Sequence, residues 1–212
     1  MTPRAALDLG LAELRLALPD AARAQLMDYV TLLEKWNRTY NLTGIDDPLR
    51  MVSHHLLDSL VVLPHLPMSR DASSLADAGS GAGLPGIPLA VARPEWRVVL
   101  VEASEKKTAF LRQAALELGL RNVDIHQGRV EEWRPAQRFA IVISRAFAEL
   151  ARFIATCRHL IVPGGVLAAM KGVLPSAELA RVPPGCDCGQ VIALKTPLVD
   201  AARHLVLCRV GD

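Results

Sequence analysis

The sequence predicts an α/β protein: a mostly parallel β-sheet flanked by helices, closed at one edge by an antiparallel hairpin and preceded by a helical segment. Three observations predict it. From residue 75 onward, short β-branched runs alternate with helical stretches, the pattern of a parallel sheet covered on both faces. The last two strands, 190–196 and 204–210, have only a turn between them and so must run antiparallel. Before residue 64 the apolar residues recur at helical spacing, with no strand pattern.

The elements follow in order. Residues 5–18 carry Leu7, Leu11, Leu14 and Leu18 at a helical period, and Pro19-Asp20 punctuates. Asp20 is an N-cap candidate for a second helix to about Asn37, and residues 39–44 read as a loop. Asp46 or Asp47 caps a third helix with Pro48 in its first turn, ending before Pro64. Residues 67–74 form a short polar linker, so the division expected is a helical cap over 1–70 and a sheet domain over 71–212. Strands are expected at 75–78, 97–101, 123–126, 139–144 and 166–170. Helices are expected at 84–92, from a Ser104 cap to Leu118, and at 149–161, the last stopped by Pro163-Gly164-Gly165.

Composition narrows the function classes. With 51% hydrophobic residues among 212 the chain can bury a sizeable core, and with 4% aromatics that core is aliphatic. Asp8 and Glu13 interrupt any export signal at the start, and no apolar run reaches bilayer length, so a cytoplasmic protein is expected. A net charge of +2 does not announce a nucleic-acid binder. Cys186 and Cys188 stand too close together for zinc spacing and no histidine joins them, so all four cysteines are expected to be reduced thiols and no metal site is read.

The chemistry concentrates in residues 77–88, DAGSGAGLPGIP. Glycines here let the backbone pass close to a ligand as a strand turns into a helix. Gly81 to Gly86 satisfies G-x-G-x-x-G, which also suits a pyridine dinucleotide. Asp77, at the strand end before the glycines, favours the cationic end of S-adenosylmethionine and would repel a pyrophosphate. Glu102, at the end of the second strand, can accept both ribose hydroxyls of either cofactor. The terminal hairpin is the arrangement of class I methyltransferases with their Rossmann-like seven-stranded sheet, whereas a dinucleotide domain usually keeps its strands parallel. A methyltransferase of some substrate is therefore the first reading and an NAD-dependent oxidoreductase the second.

A set of longer matches goes further. Trp36-Asn37 with Tyr40-Asn41-Leu42-Thr43, His55-Leu56-Leu57-Asp58-Ser59, the 77–88 stretch, residues 107–112, Arg129-Val130-Glu131, Ile143-Ser144-Arg145-Ala146-Phe147 and Met170-Lys171-Gly172 together resemble the bacterial 16S ribosomal RNA guanine-N7 methyltransferase family, RsmG, formerly called glucose-inhibited division protein B. The resemblance covers residues 32–209. It implies methyl transfer from S-adenosylmethionine to a guanine N7 in small-subunit rRNA. It also implies cofactor contacts at Gly79, Leu84, Val130, Glu131 and Arg145, with Val130 and Glu131 flanking the adenine. His54 stands where the family pattern has arginine.

The cofactor set expected is thus Asp77, Gly79, Gly81, Gly83, Leu84, Glu102, Val130, Glu131 and Arg145. Guanine N7 carries a free lone pair, so no general base is expected and alignment should dominate catalysis. Arg145, after the fourth strand, is the catalytic candidate; its fork can hold guanine O6, a phosphate or the cofactor carboxylate. Asn41, His55, Lys171 and Arg203 are the RNA-contact candidates. His55 and Asp58, three apart on a helix, could form a pair that orders a lid or joins the cap to the sheet. Lys106, Lys107 and Arg112 read as a solvated face. The expected partner is rRNA within an assembled or assembling small subunit, met by a monomer with no membrane association.

Overall fold

The computed structural model describes residues 1–67, 73–147 and 149–211. Seven strands form one sheet in the order β3-β2-β1-β4-β5-β7-β6. They are β1 (Ser74–Ala78), β2 (Arg97–Glu102), β3 (Val123–Gln127), β4 (Phe139–Arg145), β5 (Ile161–Lys171), β6 (Cys186–Leu194) and β7 (Arg203–Val210). The first five are mutually parallel; β7 runs antiparallel to both β5 and β6. The expected α/β sheet with its terminal antiparallel hairpin is therefore present. Central β4 (FAIVISR) is buried at every position but the last, as β-branched runs covered on both faces should be, while the edge strands β3 and β6 are only partly covered.

Alternation along the strands sends side chains into two cores. Leu75, Val98, Leu100, Ile141, Ile143, Leu205 and Leu207 belong to the larger, together with α1 (Pro3–Glu13), α2 (Asp20–Tyr40), α3 (Pro48–Met51), α4 (Asp58–Leu60), α5 (Gly86–Ala92) and α6 (Glu105–Glu117). Their neighbours Ala76, Val99, Val142, Leu167 and Val206 face α7 (Leu150–Cys157). The N-terminal helices thus share a continuous apolar core with one face of the sheet. The boundary expected between residues 70 and 71 lies outside the described residues.

Local chemistry explains where the elements depart from expectation. Thr2 caps α1, accepting from Ala5 N–H, and Arg15 at φ 55 ends the helix before Leu16 and Leu18. Asp20 is the first residue of α2 rather than its cap, and α2 continues to Tyr40, where Asn41 takes the left-handed conformation at φ 50. Asp47 caps α3 through Arg50 N–H. Next comes a π-helical segment, Val52–Leu57, which sequence periodicity did not foreshadow. Leu84-Pro85 is a cis peptide, and α5 begins at Gly86. Pro163-Gly164-Gly165 does not merely stop a helix: it lies inside β5, where the register with β4 shifts between Phe139/Ile161 and Ile141/Val166. A short α8 (Ser176–Leu179) was not expected.

The cysteines also depart. Cys188 and Cys208 form a disulfide across β6 and β7, with Cα atoms 4.0 Å apart, while Cys157 and Cys186 are free thiols. The ladder brings the two side by side from 20 positions apart, which spacing along the chain does not disclose.

Tyr29 ties α2 to the glycine loop. Fully buried, it packs against Phe110 and donates its hydroxyl to the Ala82 carbonyl at 2.7 Å. Tyr29→Phe leaves that carbonyl without its partner. The expected loss is about 1–3 kcal/mol of unfolding free energy, read as a lower urea midpoint with an unchanged m-value.

Candidate functional site

The loop between β1 and α5 is fastened from below. Gly79 and Ser80 both donate N–H to Val101 O, at 2.9 and 3.0 Å, and Ser80 Oγ returns to Asp77 O. Gly81 N–H donates to Glu102 Oε2 at 2.9 Å, while Ser104 N–H donates to Oε1 at 2.8 Å. Glu102 therefore braces the loop against the start of α6; each of its oxygens keeps a lone pair for a further donor.

The glycines divide into two kinds. Gly79 and Gly81 have φ 73 and 58, and a Cβ on either would meet nothing closer than the Phe147 ring at 3.6 Å from Gly79. Gly83 and Gly86 instead make room for protein: a Cβ would meet Ile87 at 2.4 Å or Leu100 at 2.2 Å. Leu84 and Val130 are buried in the core, and Glu131 is exposed beside Arg129. Val130 and Glu131 lie just past β3, after Gly128, whose N–H donates to Glu102 O.

Asp77 is fully buried. Its Oδ2 accepts from Gly86 N–H at 2.8 Å, but its Oδ1 has no hydrogen-bond partner. Burial pushes its carboxyl up to about 7, opposed by the Gly86 N–H and the Arg145 charge. An unsatisfied buried acceptor beneath two open glycines fits a ligand that brings a donor or a positive charge.

The second half of the site lies at the carboxyl ends of β4 and β5. Arg145 Nη1 donates to Asp58 Oδ2 at 3.3 Å and to His54 O at 3.0 Å. Arg203 Nε donates to Asp58 Oδ1 at 2.7 Å, and Thr196 Oγ1 lies 3.5 Å from the same oxygen. Asp58 is thus a buried carboxylate between two guanidiniums, its side chain 5% exposed against 22% for each arginine. Its backbone N–H reaches Ser53 O, the wide π turn that precedes it. A cavity of about 450 Å³ opens here, lined by His54, His55, Asp58, Arg145, Lys171 and Arg203 among others. That volume suits a small-molecule or nucleobase ligand.

The expected His55–Asp58 pair is not made. His55 Nε2 lies 2.7 Å from Thr43 Oγ1, and burial and then the Arg145 charge lower its pKa to about 4, so it is neutral at pH 7. Buried Asn37 accepts from Thr43 N–H and donates to Asp46, fixing the loop that carries Thr43. Asn41 is the exposed helix-ending residue of α2 and does not line the cavity. Lys171 Nζ donates to Glu178 Oε2 at 2.8 Å; Glu178 also accepts from Leu150 N–H. His54 contacts Arg145 through its backbone carbonyl, not its side chain. Tyr29, Thr196 and cavity-lining His204 carried no sequence signal of a site.

Residues 22–206 match the family model described as rRNA small subunit methyltransferase G. The chain belongs to this family. It is 49% identical over 209 residues to the ribosomal RNA small subunit methyltransferase G of Burkholderia pseudomallei (strain 1106a), covering 97% of this chain and 90% of that protein. The protein of the same name from Burkholderia thailandensis gives the same figures. Among solved structures, the O-methyltransferase TomG from Streptomyces achromogenes, in complex with SAM, superposes with a TM-score of 0.60 at 16% identity, covering 97% and 96% of the two chains. A SAM-dependent methyltransferase from Aquifex aeolicus gives 0.58 at 18%, covering 80% and 97%. The fold is that of class I methyltransferases.

The Asp77 geometry carries a pH consequence. An unfolded carboxyl titrates near 3.8 and the folded one near 7. Between these the folded state holds a proton the unfolded state has released, so this group's stabilisation is complete below 3.8 and is lost as pH rises through 7. Asp77→Asn removes the titration. Without cofactor, the variant should gain on wild type between pH 5 and pH 8, by roughly 2–4 °C in melting temperature per kcal/mol for a chain of this size. A difference constant across that range, measured by calorimetry, contradicts the assignment.

Proposed function

We propose that this chain transfers the methyl group of S-adenosylmethionine to N7 of a guanine in 16S rRNA of the small ribosomal subunit. What carries the reading is one arrangement in a chain of this family: an open glycine cradle over a buried acid, beside a cavity walled by two arginines. S-adenosylmethionine supplies, when bound, an electrophilic methyl group on a cationic sulfur. Gly79 and Gly81 leave room for it, Glu102 keeps lone pairs for ribose hydroxyls, and Asp77 Oδ1 offers an unused acceptor. Val130 and Glu131 would flank the adenine and Leu84 would back the site from the core, with Gly83 allowing α5 to pack close beneath it.

Guanine N7 is nucleophilic through its own lone pair, so no side chain has to remove a proton. The chain's task is then alignment of the base, the effect that placement alone can supply. Arg145 stands at the carboxyl end of β4, where open α/β sheets bind ligands. It would hold the base, while Arg203 and Lys171 at the cavity wall, His55 behind them and Asn41 outside would face the RNA. A base stacked in a helix cannot enter such a cavity, so the target is unpaired or displaced. With a net charge of +2 the chain should hold naked RNA weakly. An assembled or assembling subunit is therefore the proposed substrate, acted on in the cytoplasm by a monomer whose residues 1–70 cap a methyltransferase domain over 71–212. Among the described residues no helix is long and apolar enough to cross a membrane.

The test combines labelled S-adenosylmethionine with small subunits and with protein-free rRNA from a strain lacking the enzyme. Product is mapped by borohydride reduction and aniline cleavage at N7-methylated guanine. One guanine in the subunit should become cleavable. Arg145→Ala should lower kcat/KM by about 10²-fold, the scale of a misplaced reactant. Label in another base or in protein overturns the RNA reading; binding of NADH instead of S-adenosylhomocysteine overturns the methyltransferase reading. Equal methylation of naked rRNA overturns the assembled-substrate part.

A further inference from the structure

We propose that Val173, Leu174 and Leu198 form an apolar rim that packs against the nucleobases on either side of the target guanine once that base has left its stack. The inference rests on the RNA reading above and names the surface that meets the bases the cavity does not take.

The three side chains stand on two turns at one end of the sheet. Val173 and Leu174 follow β5, and Leu198 lies between β6 and β7. Lys171 is paired with His204, and Leu194 with Arg203, so both turns leave the sheet beside the same residues. Lys171, Leu194, Arg203 and His204 all line the cavity. Val173, Leu174 and Leu198 are 72%, 53% and 42% exposed.

A single exposed aliphatic residue is ordinary. These three differ in being held out on anchored turns. After β5, Lys171 Nζ donates to Glu178 Oε2, and Glu178 also accepts from Leu150 N–H. Pro175 is buried, and its carbonyl accepts from the N–H groups of Glu178 and Leu179. Val173 and Leu174 are the span between those two anchors. Between β6 and β7, Thr196 Oγ1 and Arg203 Nε both reach Asp58 Oδ1, at 3.5 and 2.7 Å, which clips the turn at both ends. Pro197 is buried, and Leu198 beyond it has φ 61, a left-handed conformation that a residue with a β-carbon rarely adopts. The leucine is thereby displayed and not tucked in. Groups whose backbone is already fixed lose less freedom on meeting a partner.

The neighbouring chemistry says what that partner is. The cavity has room for one base, and a base that enters it leaves a gap in its own stack. Aliphatic side chains fill such gaps in nucleic acids, where they replace the lost stacking contact. Cations stand beside the rim. Arg203 and Lys171 are in the cavity wall, and Lys195, its side chain 92% exposed, precedes the Leu198 turn with Glu13 at 3.5 Å. Aliphatic tips flanked by positive charge match bases flanked by phosphates.

The experiment uses full-length enzyme and small subunits reconstituted with 16S rRNA that carries either its own nucleotides or abasic ones on both sides of the mapped guanine. Val173→Ser, Leu174→Ser and Leu198→Asn are combined in one variant; asparagine tolerates the left-handed conformation. Subunit affinity is titrated with S-adenosylhomocysteine present. On native subunits the variant should bind at least about tenfold more weakly than wild type, the scale of returning one leucine-sized side chain to water. Its kcat/KM should fall alongside, and its own affinity for S-adenosylhomocysteine should equal that of wild type. On abasic subunits the two proteins should bind alike, because each change removes one side of the same contact. Equal binding of the two proteins to native subunits overturns the proposal. So does a loss that is as large on abasic subunits, which would assign the rim to a ribosomal protein or to another part of the RNA. Should the combined variant fail to bind S-adenosylhomocysteine, Leu198→Asn alone is carried through the same comparison and decides it. A wild type that methylates no native subunit overturns the functional reading itself, and the inference with it.

Discussion

A single buried carboxylate joins three distant parts of this chain. Asp58 belongs to α4 of the N-terminal helices, Arg145 ends β4 and Arg203 begins β7, and both guanidiniums converge on it. Breaking a buried pair by removing one partner usually costs about 3–5 kcal/mol, because the other charge is left behind. A carboxylate with two such partners therefore binds the helical segment to the open end of the sheet. It does so at the point where open α/β sheets leave a crevice for ligand. The wall of the cavity and the joint between cap and sheet are the same group.

The other half of the site is built on a different principle. The glycine loop is fastened by backbone bonds to Val101 and by the two oxygens of Glu102, so its shape is set by the ends of β1 and β2. Asp77 Oδ1, on the face shared with the N-terminal helices, is a buried side-chain atom left without a partner. Tyr29 secures that face from α2 through the Ala82 carbonyl. The N-terminal helices thus reach both halves, with Tyr29 at the loop and Asp58 at the cavity. The reactive centre proposed here lies where a rigid cradle meets a charged wall.

The sheet was visible in the sequence because parallel strands buried on both faces read as continuous β-branched runs, as in residues 97–101 and 139–144. The terminal hairpin was visible because no helix separates its strands. The glycine loop announced itself, but the division of labour within it did not. Whether a glycine faces empty space or the side chain of Ile87 depends on tertiary packing. The pairing of His55 with Asp58, reasonable from spacing on a regular helix, gave way to Thr43 because the helix is wider there and each residue finds a partner elsewhere. Asp58 lies 87 residues from Arg145 and 145 from Arg203, separations at which no local pattern operates. The cross-strand disulfide was hidden for the same reason: register, not spacing, makes Cys188 and Cys208 neighbours.

A structure of the enzyme with S-adenosylhomocysteine and a small subunit carrying 7-deazaguanine at the target position would examine the arrangement directly, since that base keeps O6 and cannot react. The base should lie in the cavity walled by Arg145 and Arg203, with position 7 turned toward the sulfur. Finding the base outside that cavity would contradict it.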